Sequence, residues 1–159
     1  MGIKDTKIQT FLEQLSSKAP TPGGGAVAAL AGAMAASLVE MVINISKDEG
    51  LNKNLRRTKN LRAELLKLAD EDVAAFDEVM AAYKSKSLPR IKKALEDAIE
   101  VPEKTKAASG EVEKLAMIVA QKGNKNALSD ASTAVLLSRA AQESAQENIK
   151  INKLALKKL

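Results

Sequence analysis

From Gly23 to Val39 the chain carries no charged side chain and consists mostly of alanine and glycine, and Pro20-Thr21-Pro22-Gly23-Gly24-Gly25 leads into it. A stretch this long and uncharged can be mistaken for a membrane span. Glu40 and Asn44 follow directly, however, and alanine gains little from lipid, so the pattern predicts a core helix over about 26–45. Ala28, Ala29, Gly32, Ala33 and Ala36 would let another backbone approach it closely. Two prolines and three glycines in six residues predict an irregular loop over 20–25.

Helical periodicity runs through the rest of the chain. Ile8, Phe11, Leu12 and Leu15 predict a first amphipathic helix. Leu61, Leu65, Leu68, Asp72, Phe76, Val79 and Tyr83 alternate at four and three residues, which predicts one continuous seam on a helix over about 52–83. A break at 85–89 is followed by a shorter helix to about Ile99. Pro102 fits the first turn of a fifth helix that stops at Lys122-Gly123-Asn124. Residues 126–129 read as a polar loop, with Ser129 as N-cap of a last helix. No strand or hairpin signal appears. The expectation is an all-α, single-domain bundle of about six helices over 1–159, with a seam and an alanine-rich helix that favour a homodimer.

Composition narrows the chemistry. Cysteine and histidine are both absent, which excludes thiol nucleophiles, disulfides, thiolate-metal sites and the commonest general base. No metal site is expected. Aromatic residues make up only 2% of the 159 residues, too few for the stacking platforms of single-strand nucleic-acid readers, so the net charge of +5 is read mainly as solvated helix surface. Residues 1–10 are polar and carry no secretory leader pattern, so a cytoplasmic location is expected, with no membrane partner.

Four features could carry a site. Asp72 stands in an apolar seam, where a carboxyl group must be paired, hydrogen-bonded or protonated; it either caps a helix or serves a ligand. Lys122, Asn124, Asn126, Ser129 and Asp130 crowd a loop that feeds a helix start, where backbone amides favour an anion or carbonyl oxygen. Asn148 and Asn152 fall on the same helical stripe as Asp130. Eighteen residues separate Asp130 from Asn148, about 27 Å along the axis, so they would share a ligand only if it is long or if two subunits contribute; otherwise the asparagines pair within the core. The segment Thr21-Pro22-Gly23-Gly24-Gly25 lacks the Lys-Ser/Thr of a P-loop and indicates only a close backbone approach or a sharp turn.

Taken in order, these segments resemble the cyclodeaminase/cyclohydrolase family of tetrahydrofolate enzymes. The resemblance rests on Pro20-Thr21-Pro22-Gly23-Gly24-Gly25-Ala26, on Asp70-Glu71-Asp72 with Ala75-Phe76 and Val79-Met80-Ala81-Ala82-Tyr83, on Val101-Pro102, on Lys122-Gly123-Asn124 with Asn126-Ala127 and Ser129-Asp130, and on Asn148 with Ile151-Asn152. It implies a helical dimer with a folate site near the subunit interface, and a member that is short at its C-terminus. It implies either formiminotetrahydrofolate cyclodeaminase, forming 5,10-methenyltetrahydrofolate and ammonia, or methenyltetrahydrofolate cyclohydrolase. A non-catalytic folate-binding dimer is the alternative. By the same resemblance Asp130 and Asp72 are the catalytic carboxylates. Thr21, Pro22, Gly23, Gly24, Gly25, Lys122, Asn124, Asn126, Ser129, Asn148 and Asn152 contact the substrate, with no cofactor beyond the folate itself.

Overall fold

A computed structural model describes residues 2–159 and contains six α-helical segments among them, with no strand. They are α1 (Ile8–Leu15), α2 (Gly24–Ser46), α3 (Glu49–Asn52), α4 (Leu55–Ser85), α5 (Leu88–Lys122) and α6 (Leu128–Lys157), with 3-10 turns at Ile3–Asp5 and Lys125–Ala127.

The alanine-rich helix α2 lies against α4, α5 and α6, which also pack on one another through α5. Its eighteen-residue core has a mean hydropathy of 2.0, enough to cross a membrane by composition, yet Ala29, Ala36, Val39, Val42 and Ile43 are spent on the protein interior. Leu61, Leu65 and Leu68 of α4 and Val112 and Val119 of α5 complete that core. With so few aromatics, the interior is filled by close backbone approach. A Cβ on Gly32 would stand 2.6 Å from Ser109 Oγ and 3.1 Å from a Leu65 methyl. Glu40, nearly buried on α2, pairs with Arg62 Nε of α4 at 2.6 Å.

Several boundaries differ from expectation. Gly24 and Gly25 are the first residues of α2 and not loop. Residues 88–122 form one helix that runs through Pro102, where two helices were expected. The last helix starts at Leu128 with Ala127 as N-cap, so Ser129 sits in the first turn and caps nothing. Only Phe11 of α1 is buried, and Ile8 is 79% exposed. Asp70 accepts a hydrogen bond from the Ile3 N–H and ties the N-terminal turn to α4.

Helix α2 runs antiparallel to α6. Its first turn lies beside Asn148, and its last residue, Ser46, accepts a hydrogen bond from the Asn124 N–H at 2.7 Å just before α6 begins. Its outer face is uncovered: Val27, Met34, Met41 and Ile45 are exposed along it, Met34 by 54%.

Candidate active site

A cavity of about 370 Å³ opens where the start of α2, the second half of α4, the first third of α5 and the second half of α6 converge. The three-four spacing of α4 puts Asp72, Phe76, Val79 and Tyr83 along one wall. Asn148 and Asn152, one turn apart on α6, face them, and Thr21, Gly23, Gly24 and Gly25 form the rim. Seven of the expected site residues therefore meet in one place. Pro22 stands just behind the rim, in a separate depression shared with Ile3 and Val73.

Asp72 and Gly25 fit each other. A Cβ on Gly25 would lie 2.5 Å from Asp72 Cγ and closer still to Oδ1, so only glycine lets the helix start approach the carboxyl group. Burial pushes the Asp72 pKa up from the ordinary carboxylate value, and the Ala26 N–H in the first turn of α2 offsets part of that rise. A helix N-terminus normally favours the anion. Here desolvation outweighs it, because the walls of the cavity are largely apolar. A carboxyl group poised this way can hold or give up a proton and can face a delocalised cation.

The asparagines are hydrogen-bonded in different ways. Asn148 Nδ2 donates to the Ser144 carbonyl of its own helix at 2.9 Å, and Asn152 Nδ2 donates across to the Ala98 carbonyl of α5, also at 2.9 Å. Sequence reasoning missed the α5 wall, Leu95 and Ala98, because ordinary apolar residues on a helix carry no local sign of a site.

The second expected cluster lies at the opposite end of α6. Lys122, Asn126 and Ser129 are exposed there, and Asp130 is half-buried in the first turn. Asn124 is committed to the loop: its Oδ1 accepts from the Asn126 N–H at 2.9 Å, and its Nδ2 donates to the Ile45 carbonyl at 3.4 Å. The antiparallel packing of α2 and α6 keeps this cluster away from Asp72 within one chain. A wider groove of about 760 Å³ follows α5 and α6 on the outside, where Glu113 is paired with Arg139 and Gln142, and Lys153 with Glu103. Among the described residues no three carboxylates converge to hold a metal ion.

The sequence profile of the formiminotransferase-cyclodeaminase family matches residues 7–158. The chain belongs to that family. It is 41% identical to methenyltetrahydrofolate cyclohydrolase of Methylorubrum extorquens, over 91% of this chain and 78% of that protein. It is 27% identical to the formimidoyltransferase-cyclodeaminase of Rattus norvegicus, over 95% of this chain but only 31% of that longer protein. Among solved structures it matches formiminotetrahydrofolate cyclodeaminase from Thermotoga maritima with a TM-score of 0.89 and 32% identity, over 96% of this chain and 81% of the other. This member of the formiminotransferase-cyclodeaminase family thus has relatives named for two different reactions.

Proposed function

We propose that the chain is a one-carbon tetrahydrofolate enzyme whose substrate enters the Asp72 cavity. The observation that carries this reading is a carboxyl group raised by burial, set against backbone amides in an open, partly apolar pocket. Both candidate reactions pass through a methenyl bridge between N5 and N10 and need proton transfer at nitrogen beside an amidinium-like cation. In the hydrolytic direction water adds to the methenyl carbon, one carbon–nitrogen bond breaks, and the freed nitrogen takes a proton. In cyclodeamination N10 attacks the formimino carbon and ammonia leaves. Asp72 exchanges the proton and, when ionised, offsets the cation. The 41% identity to a cyclohydrolase favours hydrolysis as the first activity to measure. The fold match to a cyclodeaminase supports the second.

We further propose a homodimer, formed through the uncovered face of α2, in the cytoplasm. A two-fold pairing of antiparallel α2 helices would set the Asp130 end of one protomer beside the Asp72 end of the other. Asp130, Lys122 and Asn126 would then reach the substrate bound by the partner, with lysine facing its acidic tail. The test is near-ultraviolet absorbance of methenyltetrahydrofolate, followed as loss from that compound and as appearance from 5-formiminotetrahydrofolate. Loss above the buffer rate supports hydrolysis, and appearance with ammonia release supports cyclodeamination. Silence in both, from a folded protein, removes the enzyme reading.

A further inference from the structure

Pro102 sits in the interior of α5, buried, with helix continuing on both sides. A proline there has no N–H to give to the carbonyl four residues earlier, and its ring pushes that carbonyl outward. The carbonyl is that of Ala98. A buried carbonyl without a donor is costly, so native structures find it a partner. The partner is Asn152 Nδ2 of α6, at 2.9 Å.

This pairing determines which way the Asn152 amide faces. A carbonyl only accepts, so the nitrogen must be the atom on Ala98, and Oδ1 is left free. Both Ala98 and Asn152 line the Asp72 cavity. Asn148 is committed in the same sense, its nitrogen on the Ser144 carbonyl. On the asparagine wall the oxygens Asn148 Oδ1 and Asn152 Oδ1 are thus the atoms left without a protein partner, facing the Asp72 carboxyl group across the cavity, with the Thr21 and Tyr83 hydroxyls also in its lining.

We propose that Pro102 is a positioning residue: by withholding its backbone donor it hands the Ala98 carbonyl to Asn152 and fixes Asn152 Oδ1 as an acceptor for the donor edge of the substrate. This deepens the folate reading and rests on it. The 2-amino group and N3–H of a tetrahydropterin are adjacent donors that would match such oxygens. The same lining disfavours analogues whose ring presents acceptors there.

The experiment is a double-mutant cycle of Pro102→Ala and Asn152→Ala, read by thermal unfolding and by KM and kcat for methenyltetrahydrofolate, with the Kd of tetrahydrofolate measured in parallel. Pro102→Ala restores the N–H to Ala98, so the midpoint of unfolding should hold or rise while KM and Kd rise about tenfold and kcat changes little, the worth of about one hydrogen bond. Asn152→Ala should lower the midpoint and raise KM in the native background, and do neither in the Pro102→Ala background. An unchanged KM in Pro102→Ala, or an Asn152→Ala destabilisation equal in both backgrounds, overturns the proposal. Coupled stabilities in a native protein that binds no tetrahydrofolate would keep the Asn152 anchor but overturn its assignment to a pterin, and would count against the folate reading separately.

Discussion

The Asp72 carboxyl group occupies the space in which a side chain on Gly25 would stand, with Asp72 Cγ 2.5 Å from the position of an added Cβ. The α2 start and the α4 seam are shaped to each other at this one point. An acidic residue sits among leucines on α4 because the facing helix supplies a glycine and the first free amides of a helix there.

Gly25→Ala should therefore damage the site more than the fold. The added methyl must displace either the carboxyl group or the helix start, an overpacking cost of about 1–3 kcal/mol. Turnover should fall by at least about tenfold while the helical circular dichroism at 25 °C stays native. Wild-type turnover in this variant would show that the carboxyl position is not used.

Asp72→Asn tests the electrostatics. Burial raises the folded-state pKa of Asp72 above its unfolded value. The folded form thus binds its proton more tightly, and the associated stability is present below the unfolded pKa and lost as pH rises through the folded one. At neutral pH the ionised group disfavours folding. The asparagine variant should melt higher than the native protein at pH 7 and lose that advantage at pH values below the ordinary carboxylate range. A lower Tm at pH 7 would mean that the carboxylate charge holds α2 in place.

Gly32 tests the close packing. Gly32→Ala places its methyl 2.6 Å from Ser109 Oγ and should destabilise by about 1–3 kcal/mol. Ser109 Oγ is buried without a hydrogen-bond partner, so Ser109→Ala alone should be neutral or stabilising. The double variant should recover part of the Gly32→Ala loss in denaturant unfolding. Strict additivity would contradict a shared contact.

The uncovered face of α2 gives the oligomer test. Met34→Lys puts a charge in the middle of the stripe formed by Val27, Met34, Met41 and Ile45. Sedimentation should show a dimer for the native chain and a monomer for the variant, with activity falling together with the dimer. A native chain that sediments as a monomer at all concentrations would end the two-subunit site.

Much of this was legible in the chain. The Leu61–Leu65–Leu68 seam reads as core because it is core, and Asp72 stands out against it because a carboxyl group is expensive there. Pro102 misled because a proline reads locally as a helix boundary, whereas a side chain fifty residues away, Asn152, satisfies the carbonyl it frees. Gly24 and Gly25 misled because glycine is a poor helix former, and the reason for Gly25 in α2 is a neighbour on α4, Asp72, that no local rule sees. The distance between Asp130 and Asn148 along α6 was readable from the helical rise. What the sequence does not carry is the antiparallel packing of α2 on α6, which puts Asp130 and Asp72 at opposite ends of the molecule.

The most direct measurement is the rate at which methenyltetrahydrofolate loses its near-ultraviolet absorbance with native protein, with Asp72→Asn, and with Asp97→Asn, a surface carboxylate paired to Lys93, as control. The expected result is catalysis by the native and Asp97→Asn proteins and a fall of about 10²–10⁴ in Asp72→Asn, the usual worth of a general acid–base group. Equal rates in Asp72→Asn and the native protein would place the chemistry outside this cavity.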